Sequence, residues 1–242
     1  MYSTAFTETA DIVTSSDEYA NRFAGKVGEW FLKTQEEATL KMLAPYPGAS
    51  VLDVGGGHGQ LTDGLVRNGY KVTVLGSSEE CKSRIQPYID NGKIHFTAGN
   101  ILSLPFPDRS FDVVISYRLL AHVNKWQAFL GELSRVASKA VVLDYPEVCS
   151  LNYIAPLLFP VKKWLEGNTR EFTCFRKRQL LRLFNAAGFG EAASIRQFFL
   201  PMVLHRIFGL AEISMAIEGI FRLTGLTGIL GSPVILSVQR KL

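Results

Sequence analysis

The stretch VLDVGGGHGQ, residues 51–60, decides how the rest of the chain is read. Val51, Leu52 and Val54 make a short apolar run of the kind found in a strand buried on both faces. Gly55, Gly57 and Gly59 follow at alternate positions, with Gly56 between the first two. Glycine at these places lets the chain leave the strand through a sharp turn, with positive φ where needed, and lets backbone amides meet a ligand that a Cβ would exclude. Leu61 to Arg67 reads as the helix that the loop opens.

The spacing separates two kinds of glycine loop. A dinucleotide fingerprint, G-x-G-x-x-G, requires glycine at position 60, where the chain has Gln60. The pattern is instead D-x-G-x-G-x-G, with Asp53 two residues before the first glycine. It resembles motif I of the class I S-adenosylmethionine-dependent methyltransferases, of the small-molecule, type 11-like kind. The resemblance implies that Asp53, Gly55, Gly56, Gly57 and Gly59 lie under the methionine part of the cofactor, with the Asp53 carboxylate holding its ammonium group. Taken alone, such a loop is equally a tight strand-to-helix turn.

The resemblance continues in order for more than a hundred residues. Gly69 to Leu75 reads as a second strand, Glu79 to Tyr88 as a helix and Lys93 to Thr97 as a third strand. GNILSLPFPDRSFDVVIS, residues 99–116, is similar to the family's adenine loop and fourth strand, and Lys139 to Tyr145 to its fifth. The implied fold is α/β: a doubly wound, Rossmann-like sheet of seven strands, mostly parallel with an antiparallel last strand, carrying helical cap insertions. Asn100 and Ile101 are implied at the adenine, and Tyr117, at the end of the fourth strand, beside the cofactor or acceptor. One methyltransferase domain over 1–242 is expected, with an N-terminal cover over 1–47, a cofactor-binding core over 48–145 and insertions over 146–173 and 201–231.

Two positions depart from the family pattern. The second strand usually ends in an acid that accepts the ribose hydroxyls, and that place is held here by Gly76. Ser77 with backbone groups, or Glu79 or Glu80 reaching back, are the substitutes open at this level. At the adenine loop the usual Asp is Asn100, whose neutral carbonyl still accepts a hydrogen bond. Losing a charge-assisted bond at each place costs roughly 1 to 2 kcal/mol, which weakens affinity without abolishing it.

Composition fits a globular enzyme. At 242 residues with 47% hydrophobic and 20% charged, the chain is long enough for a sizeable core. The net charge of +4 is small and, apart from Arg176, Lys177 and Arg178, its basic residues are scattered, so nucleic acid is not an expected partner. No targeting pattern opens the chain, which points to a cytoplasmic location. Cys81, Cys149 and Cys174 are widely spaced with no C-x-x-C pair, so neither disulfides nor a metal site is expected.

The regions outside the core bear on the substrate. Asp17 to Leu43 reads as one amphipathic helix, of the kind that covers the site's mouth in this family. Tyr153, Trp164 and Phe172 in the first insertion are expected to line an apolar acceptor pocket. His122, after the fourth strand, faces the transferred methyl in this family, and imidazole has the pKa range of a general base; the competing reading is a structural histidine. In the second insertion Ser214, Glu218 and Arg222 make a narrow polar stripe on a helix over Ala211 to Leu223, most of whose remaining circumference is apolar. That segment is expected to form a lid over the acceptor, with its outer side on a membrane surface; the competing reading is that it packs on the first insertion or on a second copy of the chain, as a homodimer, and completes a core. No stretch reaches about 18 uncharged apolar residues, so a spanning helix is not expected. The function implied is methyl transfer from S-adenosylmethionine to oxygen, nitrogen or carbon of a small hydrophobic acceptor. The rival is a catalytically silent cofactor-binding or scaffold protein that keeps the fold, and a nicotinamide-dependent oxidoreductase stands third.

Overall fold

A computed structural model describes residues 8–151 and 172–241. Tyr153 and Trp164, and most of the first insertion, lie outside the described residues.

Strands β1 (Ser50–Val54), β2 (Lys71–Gly76), β3 (Ile94–Ala98), β4 (Phe111–Ser116), β5 (Ala137–Tyr145), β6 (Phe189–Phe198) and β7 (Ser232–Arg240) form one sheet in the order β3-β2-β1-β4-β5-β7-β6. The first five pair in parallel, and β7 runs antiparallel to both β5 and β6. The seven-stranded, mostly parallel sheet expected from the sequence is therefore present. Because successive side chains alternate across a strand, each inner strand feeds two cores. Val51, Val74, Val113, Ile115 and Val142 pack on one face, with Leu65 of the helix Thr62–Arg67 and Leu61 at its N-cap. Leu52, Val54, Val114, Val141 and Leu143 pack on the other, beneath Phe129, Leu130 and Leu133 of the helix Trp126–Val136.

In chain order the helices are α1 (Ala10–Thr14), α2 (Asp17–Asn21), α3 (Gly25–Leu43), α4 (Thr62–Arg67), α5 (Gln86–Asp90), α6 (Trp126–Val136), α7 (Lys177–Ala186), α8 (Met202–Phe208), α9 (Ala211–Leu223) and α10 (Leu226–Leu230). The stretch read as one helix over Asp17 to Leu43 is thus two. Gly25 takes φ +75, and a Cβ on Gly28 would sit 2.2 Å from the Phe23 carbonyl carbon, so the backbone at Phe23 folds onto α3 and breaks the run. α3 then buries Val27, Phe31, Ala38 and Met42 along one stripe. The helix expected over Glu79 to Tyr88 is a 3₁₀ turn, Glu79–Ile85, followed by α5.

Candidate functional site

The glycine loop joins β1 to α4. Gly55 and Gly59 both adopt φ of 78°, the left-handed region that side chains disfavour, on either side of a 3₁₀ turn over Gly56–His58. The Gly55 amide donates to the Leu75 carbonyl at 2.8 Å, fixing the loop to the end of β2. The middle glycines are needed for space. A Cβ on Gly57 would lie 2.2 Å from the Cys81 carbonyl oxygen and 2.4 Å from Ser15 Oγ, and one on Gly56 would lie 2.2 Å from the Asp53 carboxyl carbon.

Other side chains of the protein cover this loop. A Cβ on Gly55 would meet Leu119 Cδ2 at 2.6 Å and Asp11 Cβ at 3.4 Å, so β4's exit and α1 both stand over the glycines. Asp53 is 4% exposed at the end of β1, and burial pushes its carboxyl up to about 7. His58 in the loop meets Tyr19 and Phe23 edge-on, and burial, with Arg118 and Arg84 nearby, pushes its imidazole down to about 3. It is therefore neutral at physiological pH.

At the end of β2 the structure supplies the carboxylate that Gly76 lacks. A Cβ on Gly76 would lie 2.5 Å from Cys81 Cβ, so that position has no room for a side chain of its own. The Ser77 amide instead donates at 2.6 Å to Oδ2 of Asp11, which also lies 3.5 Å from Cys81 Sγ. Asp11 is fully buried and its Oδ1 has no partner; nor do the buried hydroxyls of Ser15 and Ser77. Glu79 and Glu80, the sequence-based substitutes, are exposed, with Glu79 bonded to Lys82 at 2.6 Å. Asp11 was missed because nothing local marks it: it reaches Ser77 across 66 residues of chain. Asn100 turns its Oδ1 to the Leu102 amide at 2.9 Å, capping the turn that buries Ile101.

A second site opens between α2, α3, α8 and the ends of β4 and β5. Phe23, Phe31, Phe172, Phe198 and Met202 form apolar walls, and Arg118, His122 and Asp144 enter from the strand ends. Asp144 is 5% exposed; its Oδ1 accepts from the Arg118 amide at 2.6 Å and its Oδ2 from Gln35 Nε2 at 3.0 Å. Burial, opposed by those bonds and the Arg118 charge, leaves its carboxyl raised to about 6. His122 closes the 3₁₀ turn Leu120–His122 beside these groups. Tyr117 does not line this cavity. It is buried with the α3 side of the core, and its hydroxyl accepts from Thr39 Oγ1 at 2.6 Å. Tyr145 packs in the opposite core.

The segment after β6 covers part of the cavity in an unexpected orientation. The polar stripe of α9 faces inward. Glu218 is 2% exposed and accepts from the Phe199 and Leu200 amides, both at 2.8 Å, and shares a 3.0 Å bond with His205 of α8. Ser214 is buried beside it, and Arg222 donates to the Gln197 carbonyl at 2.9 Å. Large apolar residues of α9 and α10 point outward instead: Leu223 is 90%, Ile229 67% and Ile220 60% exposed. Among the described residues no helix is long and apolar enough to cross a membrane.

Residues 52–143 match the family described as methyltransferase domain. That match runs from β1 into β5. Over 103 residues it is 36% identical to a demethylmenaquinone methyltransferase of Tropheryma whipplei (strain Twist), a match spanning 41% of this chain and 41% of that relative, well under two thirds of its length. Among solved structures it resembles the magnesium protoporphyrin IX methyltransferase of Synechocystis PCC 6803, with a TM-score of 0.65 and 16% identity over 97% of this chain and 100% of that one. The cyclase SpnF is also similar, with a TM-score of 0.57 and 17% identity over 86% of this chain and 82% of that one. These structural likenesses speak for the methyltransferase fold, a fold whose members do not all share one chemistry.

Proposed function

We propose that this methyltransferase domain transfers a methyl group from S-adenosylmethionine to a small, largely apolar acceptor. The observation that carries the reading is the adjacency of two sites: a glycine loop of the methyltransferase pattern, and an aromatic-walled cavity whose Tyr19 and Phe23 pack against His58 of that loop. The residues present fit the cofactor, because unpartnered oxygens of Asp11, Ser15 and Ser77 stand together at the end of β2, where hydroxyl groups would satisfy them. Asp11 would take the ribose hydroxyls, Asp53 the ammonium, the backbone at Gly55, Gly56, Gly57 and Gly59 the methionine part, and Asn100 with Ile101 the adenine. Leu119 and α1 must give way for that arrangement to form.

When bound, the cofactor would supply an electrophilic sulfonium methyl for an acceptor lone pair, with S-adenosylhomocysteine as the leaving group. The protein's part is chiefly positioning and exclusion of water. Where the acceptor must lose a proton, His122 takes it at the cavity wall. Tyr117 supports the strand end through Thr39. The outward apolar face of α9 and α10 would rest on a membrane surface or a second copy of the chain.

Calorimetric titration with S-adenosylhomocysteine, followed by labelled-methyl transfer to a panel of apolar phenols, acids and amines, tests the reading; no binding at millimolar cofactor rejects it. The silent-scaffold alternative draws on the seating of Leu119 and α1 against the glycine loop. Cofactor binding without turnover on the whole panel would favour it.

A further inference from the structure

Among the described residues that line the acceptor cavity are three arginines, Arg22, Arg118 and Arg206, and one carboxylate, Asp144. Arg118 enters it on a strained backbone, a non-glycine residue at φ 57 whose amide is held by Asp144. Its guanidinium lies 4.1 Å over the Phe23 ring, and Nη2 donates to Gln35 Oε1 at 2.9 Å, a neutral acceptor. Nη1 is buried and without a partner. The nearest acid does not meet the guanidinium in an ion pair, since Asp144 spends one oxygen on the Arg118 backbone and the other on Gln35. A second guanidinium, that of Arg206, sits 5.6 Å from the same Phe23 ring, and Arg22 also lines the cavity. Asp144 is the one carboxylate among the described lining residues. Burying a guanidinium nitrogen with no acceptor, as Arg118 does at Nη1, is costly unless an anion completes it.

We propose that this cavity selects an acceptor made of an apolar body and a carboxylate, with Arg118 as the residue that grips the carboxylate. The inference rests on the acceptor-pocket reading above and adds the acidic group. The planar fork of arginine matches two carboxylate oxygens, and Nη1 supplies the free donor. Phe31, Phe198 and Met202 take the apolar body. Arg206 adds field rather than contact, which raises the local concentration of anions at the cavity mouth.

The test uses the full chain and two probes of similar shape, naphthoate and its neutral counterpart naphthylmethanol, titrated by calorimetry. The parent should bind naphthoate at least about tenfold more tightly, the worth of one charge-assisted pairing. Arg118→Met should collapse that preference to less than about threefold while leaving naphthylmethanol affinity unchanged, which also reports that the cavity is intact. Should Arg118→Met fail to fold, Arg206→Met is read instead and should lower naphthoate affinity alone, in a salt-dependent way. No naphthoate binding by the parent, equal binding of the two probes, or a preference that survives loss of the arginine overturns the proposal. A parallel titration with S-adenosylhomocysteine keeps the two readings apart. Naphthoate binding without cofactor binding sinks methyl transfer and leaves the acid site standing, whereas cofactor binding with no acid preference does the reverse.

Discussion

The glycine-loop half of the sheet and the helices after β6 follow opposite rules of burial. Around β1, β2 and β4 the apolar residues are inside, and the polar groups that are buried, Asp53 and Asp11, gather where a ligand would meet them. In α9 two polar residues are inside and several large apolar ones outside: Ser214 and Glu218 are buried while Ile213, Ile220 and Leu223 face out. The reason lies in what each region must satisfy. Parallel strands bond to one another and leave only side chains to be buried. The end of β6 instead presents two unpaired amides, at Phe199 and Leu200, and a carboxylate from α9 is what completes them. A lid of this kind is clipped on by hydrogen bonds and keeps its apolar surface for something else.

The largest expected effect breaks that clip. Glu218→Ala leaves two part-buried amides and the buried His205 without their acceptor, and should cost about 3 to 5 kcal/mol of stability in denaturant melts. Affinity for S-adenosylhomocysteine should stay within about threefold of the parent, because the clip lies outside the loop. A melt unchanged from the parent would mean that burial of this carboxylate contributes nothing.

On the other side of the comparison, Gly57→Val should lower cofactor affinity by about a hundredfold or more, some 2.7 kcal/mol. The added carbons strike the Cys81 carbonyl, a backbone group that cannot swing aside, so a drop in melting temperature should accompany the loss. Retained affinity would show that the cofactor does not use this loop. Asp11→Asn is milder: it keeps an acceptor for the Ser77 amide but removes the charge, and should weaken S-adenosylhomocysteine binding about tenfold. Tighter binding in this variant would recast α1 as a plug rather than part of the site.

Smaller effects sharpen the contrast. Ile220→Ser together with Leu223→Ser should change stability by less than about 0.5 kcal/mol each, since both side chains already face outward, but should reduce sedimentation with phosphatidylcholine–phosphatidylglycerol vesicles. Vesicle binding equal to the parent's would point to a partner subunit on that face. The smallest signal is a proton count. Asp53 is raised from 3.8 to about 7 by burial, so the folded chain binds more protons than the unfolded one between those values. Its contribution is therefore fully present below pH 3.8 and is lost as pH rises through about 7. Pairing Asp53 with the cofactor's ammonium should ionise it, releasing a fraction of a proton at pH 6 to 7 that calorimetry in two buffers of different ionisation enthalpy would detect.

The sequence by itself determined the strand succession from β1 to β5, the glycine turn after Val54 and the departure at Gly76. Those features are written in local periodicity and spacing, and the packing of a parallel sheet reinforces both. The tertiary structure decided what spacing cannot encode. It broke the helix at Phe23, because Gly28 admits a backbone contact. It sent Tyr117 to Thr39 instead of the cavity, and it brought Asp11 to the end of β2. It also turned the stripe of α9 inward. Amphipathic spacing reveals that a helix has two faces, but which face is buried depends on the partners it meets. Here the partners were two unpaired amides and a histidine, whose need for an acceptor outweighed the burial of Ile220 and Leu223.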